Sequence, residues 1–143
     1  MGASVGAYWP GITEEEIDSQ PGFWNDDKAW GNFMAEREDE SDILEIFKRL
    51  GAGALLTYTT DGVDDSDVDW VTPAQLQIAA KALENALMNG APGVDRILEV
   101  YGRNANKVEP IVDELLRDLA DIEGLAKWVA KQGAEVMTLE VNW

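Results

Sequence analysis

Cysteine and histidine are both missing from this chain, and basic residues are scarce, with 11 Lys and Arg against 28 Asp and Glu. Without cysteine there is no disulfide, no thiolate nucleophile and no thiolate zinc site, and the sequence carries no mark of its redox compartment. Without histidine there is no imidazole metal ligand, no histidine-dependent triad and no side chain that titrates near neutrality when unperturbed. No window approaches the roughly 20 apolar residues that a membrane-spanning helix needs. The first residues also lack the basic and apolar regions of a secretory signal. These absences lead us to expect a cytoplasmic protein with no membrane partner. The few Lys and Arg are scattered and outnumbered, which argues against nucleic acid as a partner. Gly51-Ala-Gly53 has no following Lys-Ser or Lys-Thr and leads into an expected strand where a phosphate loop needs a helix, so it is no phosphate loop, and no cofactor is indicated.

What is present points to a packed globule. At 143 residues the chain has the length of one domain, able to bury roughly two thirds of its unfolded surface. An apolar content of 45% and six tryptophans argue against disorder in spite of a net charge of −17. That charge is unevenly spread. Residues 1–69 hold 17 carboxylates against 4 basic groups, whereas residues 70–143 hold 11 against 7. An acidic front half repels anionic partners and favours encounter with a basic protein or with cations, or else serves only solubility.

The clearest local code lies at residues 70–88. Thr72 is a predicted N-cap, Pro73 suits the first helical position, and Gln75 completes a capping box. Leu76, Ala79, Ala80, Leu83 and Leu87 then draw one apolar stripe at helical spacing. Upstream, residues 3–9 read as a strand stopped by Pro10-Gly11, and Thr13 with Glu14, Glu15 and Glu16 as a second capping box. Trp30, Phe33 and Met34 share one face of a helix, where rings at this spacing favour core over a ligand box with Trp24. Ser41 is expected to cap a helix that ends at Gly51, and residues 53–60 to form a second strand. A short helix follows from Val94 to Tyr101. The spacing of Val108, Ile111, Val112, Leu115, Leu116, Leu119 and Ile122 predicts a helix over residues 107–123, with Gly124 as a kink or an end. Residues 134–143 alternate like a half-buried strand.

This order predicts one α+β domain over residues 1–143, a small mixed sheet of about three short strands covered by helices, with helix predominating. Several segments also resemble the YfbM-like domain-of-unknown-function family. They are Met1-Gly2 running into a strand with Tyr8, Ile12-Thr-Glu-Glu-Glu-Ile17, Asp27-Lys-Ala-Trp30, Val71-Thr-Pro-Ala-Gln75 and Gly133-Ala-Glu-Val-Met-Thr-Leu-Glu-Val141. A histidine expected soon after Trp30 is absent. The resemblance implies a small α+β domain and brings no catalytic residues with it.

Two acidic segments are the candidate sites. The first is Glu36-Arg-Glu-Asp-Glu-Ser-Asp42, with Glu38, Asp39 and Glu40; the second is Asp61-Gly-Val-Asp-Asp-Ser-Asp-Val-Asp69, with Asp61, Asp64, Asp65, Asp67 and Asp69. Displayed on a rigid scaffold, they suit a basic protein partner, as an inhibitor or toxin-immunity factor would need, with Trp70 or Tyr58 as an aromatic anchor. Asp65-Ser-Asp-Val-Asp69 opens like a calcium loop, but Trp70 and Leu76 stand where an EF-hand needs Gly and Glu. The alternative is a carboxylate-based metal-binding protein or metal-dependent hydrolase, using this loop or the Asp26–Asp27 pair. Adjacent helical residues point about 100° apart, so that pair is poorly disposed toward one substrate atom. We expect no catalytic residue.

Overall fold

A computed structural model describes residues 4–21, 29–36, 40–60, 63–103, 105 and 109–142. In chain order these form β1 (Ser4–Tyr8), α1 (Glu14–Asp18), α2 (Ala29–Glu36), α3 (Ser41–Arg49), β2 (Tyr58–Thr59), α4 (Pro73–Asn89), α5 (Val94–Gly102), α6 (Ile111–Lys131) and β3 (Thr138–Asn142). This is a helix-dominated α+β fold with a three-stranded mixed sheet, as the sequence predicts.

The sheet has β3 in the middle, in the order β1-β3-β2. β1 runs antiparallel to β3, with Val5 opposite Val141 and Ala7 opposite Leu139, and β2 runs parallel to it. Those four residues are buried on the face that meets the helices. Gly6 opposite Glu140 and Tyr8 opposite Thr138 occupy the other face, because directly paired residues share a side of the pleat. Beneath the sheet, α4 packs along α6, which completes the main layer. The α4 stripe is buried throughout, from Leu76 to Leu87. Trp30 and Phe33 of α2, Phe47 of α3 and Tyr101 of α5 form one aromatic cluster, with neighbouring ring centres 5.1 to 6.4 Å apart. Trp30 and its neighbours are therefore core; Trp24 lies outside the described residues.

Local chemistry places the two capping boxes where the sequence puts them. Thr13 and Glu16 exchange side-chain and backbone hydrogen bonds, and Thr72 and Gln75 do the same at distances of 2.8 and 3.0 Å. Three expectations are corrected. Residues 53–56 form a 3₁₀ turn, Gly53–Leu56, and only Tyr58–Thr59 is strand. Ala54, Leu55 and Leu56 are helix formers, and two consecutive buried leucines suit a tight turn, since a strand would send one of them to the opposite face. The last long helix starts at Ile111, because Pro110 sits at its N-cap and disfavours helical geometry in the residue before it. It then runs unbroken through Gly124 to Lys131. Burial of Leu125, Ala126 and Val129 beyond Gly124 outweighs the roughly 1 kcal/mol that a mid-helix glycine costs. Third, α3 is capped by Glu40 rather than Ser41, and Glu40 makes no side-chain capping bond because its carboxylate is held elsewhere.

Two glycines give opposite expected outcomes. Gly93 has φ +96°, and a Cβ there meets Ile46 Cγ2 at 2.7 Å, so Gly93→Ala should lower stability by about 1–3 kcal/mol. A Cβ on Gly124 meets nothing within 4 Å, so Gly124→Ala should raise stability by roughly 0.5–1 kcal/mol. Urea unfolding followed by far-UV circular dichroism measures both, and equal effects of the same sign would contradict this backbone account.

Candidate functional site

Residues 63–71, which follow β2 in the acidic segment, are held by hydrogen bonds. Val63 N–H donates to the Thr60 carbonyl at 3.3 Å, and the Asp64 carboxylate caps the short 3₁₀ turn Asp65–Asp67 by accepting from Ser66 N–H at 3.2 Å. Tyr8 Oη at the end of β1 donates to Asp65 Oδ1 at 2.7 Å, and its ring stacks on Trp70 with centres 5.9 Å apart. Val71 then pairs with Met137 just ahead of β3, through hydrogen bonds of 3.0 and 2.7 Å. Sharing its proton with Asp65 pushes the Tyr8 phenol up, with burial and the charges of Asp65 and Glu140 adding to the effect.

The carboxylates of this segment are therefore not equivalent. Asp64 and Asp65 serve the loop itself, while Asp61 lies outside the described residues. Asp67 and Asp69 are exposed and make no side-chain hydrogen bond or ion pair among the described residues. Both line a groove of about 480 Å³, together with residues 57–60 and the apolar side chains of Leu44, Leu56 and Val63. Leu44 and Val63 are 36% and 42% exposed, high for apolar side chains. Tyr58 lines the same groove, whereas Trp70 stacks on Tyr8.

The other acidic segment has a different role. The Glu40 carboxylate is clamped between two guanidiniums, with Arg103 Nη1 at 2.8 Å and Arg96 Nη2 at 2.5 Å. Arg96 Nε also reaches Asp42 at 2.8 Å, and Glu99 accepts from both arginines at 3.0 and 3.4 Å. This network ties α3 to α5. The Arg103 hydrogen bond, then the charges of Arg96 and Arg103, hold Glu40 below the usual carboxylate range; Arg96 does the same for Asp42. Glu40 is thus ion-paired within the chain while partly exposed, and Glu38 and Asp39 lie outside the described residues.

A third group was not singled out from the sequence. Glu114, Asp118 and Glu123 of α6 are buried, and Tyr101 Oη donates to Asp118 Oδ2 at 2.6 Å. Burial above all, then the charge of Asp118 and the hydrogen bond to it, push the Tyr101 phenol far up. The signal was present. Asp118 stands three residues after Leu115 and four before Ile122, so it interrupts the apolar stripe.

Among the described residues, no three Asp or Glu side chains come together as a metal site would need. Asp26 and Asp27 lie outside the described residues. No described helix is long and apolar enough to cross a membrane. No protein-family model matches the chain, and no match is found among curated proteins or solved structures.

Two expected outcomes test these electrostatic assignments. Glu40 and Asp42 have depressed folded values, so their stabilising contribution is complete above the ordinary carboxylate range near pH 4 and is lost as pH falls below it. Arg96→Met should lower the urea midpoint at pH 7, and the gap from wild type should close toward pH 2. A gap that stays constant down to pH 2 would remove the network from the account. Tyr101 has the opposite sign. Its folded value lies above the unfolded one near 10, so its contribution is present below pH 10 and lost as pH rises. In an alkaline titration at 295 nm, Tyr101 should ionise only as the circular dichroism signal collapses, and Tyr101→Phe should delete that late amplitude alone.

Proposed function

We propose that the chain is a non-enzymatic acidic interaction protein of the cytoplasm that binds a basic protein partner, in the manner of an inhibitor or a toxin-immunity factor. The observation that carries this reading is the pair Asp67 and Asp69, two exposed carboxylates with no partner among the described residues, which line one groove with Leu44, Leu56 and Val63. Charges at a rim steer encounter and fix register, while apolar contact beneath them supplies affinity. A net charge of −17 adds a long-range field that draws a basic surface in and repels nucleic acid and anionic membranes. We also carry the YfbM-like resemblance forward as a proposal of kinship, resting on the segments around Thr13, Trp30 and Thr72.

A second reading, a carboxylate-based metal-binding protein or metal-dependent hydrolase, is favoured by one observation. Asp67 and Asp69 of the acidic loop, on which this reading rests, are exposed and make no ion pair among the described residues. A calcium and magnesium titration followed by thermal denaturation tests it directly, since a site that binds the folded chain raises the midpoint.

The first reading is tested by capture from host lysate at low salt with three proteins. These are wild type, Asp67→Asn with Asp69→Asn, and a control that removes the same charge elsewhere, Asp95→Asn with Asp113→Asn. A basic protein kept by wild type and by the control, and lost by the groove variant, is the expected result. Equal retention by all three would show that the carboxylates of this groove are not the contact.

A further inference from the structure

Among the described residues, the two most exposed large apolar side chains belong to one helix. They are Ile78 and Met88 of α4, at 67% and 71% exposure. With Lys81 and Asn85, which are also exposed, they recur at steps of three, four and three residues, the spacing of a helix–helix seam. The stripe from Leu76 to Leu87 already faces the core, so α4 carries apolar side chains on a second, outward face as well.

Charge is thin on this helix. Lys81 and Glu84 are the only charged residues of its 17, in a chain with 28 carboxylates. Beside the seam lies a groove of about 520 Å³ lined by Ile78, Ala82 and Asn85 of α4 and by Glu123 and Lys127 of α6. Lys81 bridges Glu84 at 3.5 Å and Glu123 at 3.7 Å, and Lys127 adds a second cation, so these four charges cancel. A face of this kind attracts neither a strongly acidic nor a strongly basic partner, and it fits a surface as neutral as itself.

Symmetry identifies that surface. Two α4 helices laid antiparallel about a two-fold axis level with Leu83 bring together residues equally far from it, because a two-fold interface sets the same patch against itself. Ile78 then meets the second copy's Met88, and Lys81 meets its Asn85 and lies one residue from its Glu84. Parallel pairing would instead set Lys81 against Lys81 and align the two helix dipoles. The sheet offers a second copy less at its β1 margin, where the side-chain amide of Gln20 accepts from Ala7 N–H at 2.7 Å and donates to the Ala7 carbonyl at 3.2 Å. A seam from residue 78 to 88 is roughly 15 Å long, which places the contact at the small, transient end of protein interfaces.

We propose that the protein forms a weak, reversible two-fold dimer through the outer face of α4, antiparallel, with Ile78 of each copy against Met88 of the other. The dimer is independent of the acidic-partner reading and responds to salt in the opposite direction. Two copies each carrying a net charge of −17 repel one another, so screening strengthens the dimer, whereas it weakens attraction of a basic partner.

Sedimentation equilibrium of the whole chain, up to about 1 mM protein, reads the association at about 0.05 M and about 0.5 M sodium chloride. The dimer should form, should tighten several-fold at the higher salt, and should weaken at least about tenfold in Ile78→Ser with Met88→Ser. Orientation is read by cross-linking. The chain has no cysteine, so Ile78→Cys and Met88→Cys each carry a single thiol. Under mild oxidation by copper–phenanthroline, a mixture of the two variants should yield a disulfide-linked dimer. Neither variant should do so alone, since like positions of antiparallel helices lie roughly 15 Å apart, beyond the reach of about 7 Å between the Cα atoms of a disulfide. A wild-type chain that stays monomeric at both salts overturns the dimer, as does a serine variant that associates like wild type or a dimer that weakens with salt. A mixture that fails to cross-link, or a single variant that cross-links as readily as the mixture, overturns the antiparallel seam.

Discussion

The fold depends on β3 being gripped from both sides. The strand lies at residues 138–142, and its neighbours come from residues 4–8 and 58–59, so the two ends of the described chain and its middle meet in one ladder. Nothing local can form this sheet. A pairing that spans more than a hundred residues carries a large loop-closure cost, which the helical layer offsets by covering Val5, Ala7, Leu139 and Val141. The acidic loop is a dependent of the same strand. It holds its shape because Val71 is tied to Met137 on the way into β3, while Tyr8 at the end of β1 holds Asp65.

A chain with 28 acidic and 11 basic residues must manage its own repulsion, and it does so by concentrating its arginines. Arg96 and Arg103 gather Glu40, Asp42 and Glu99 into one network between two helices, where each guanidinium serves more than one carboxylate. Arg117 similarly holds Glu109 at 2.8 Å, at the approach to α6. The groove beside β2 receives no such cation from the described residues. Among the described residues no cation pairs with Asp67 or Asp69.

How much of this was legible in the sequence follows from the range of each interaction. Thr13 with Glu16 and Thr72 with Gln75 are three residues apart, and their reciprocal bonds could be read as written. The stripes of α4 and α6 were legible for the same reason, since a helix repeats its environment every few residues. The ion pairs of Glu40 could not be read from the sequence because its partners stand 56 and 63 residues away. Asp65 looked like one of five equal carboxylates until Tyr8, 57 residues distant, claimed it. Identification of the loop as a candidate site was possible from composition, but its division into structural and unpaired carboxylates was not. The short β2 strand failed for another reason: its apolar run satisfies burial in a tight turn as well as in a strand, and composition cannot separate the two.

Gln20 gives the sheet a direction. With its amide occupying both hydrogen-bonding groups of Ala7, the β1 side cannot accept a strand without first expelling a side chain that already fits. An edge filled by the protein's own side chain offers no template to a second copy at that point, which blunts edge-to-edge aggregation there.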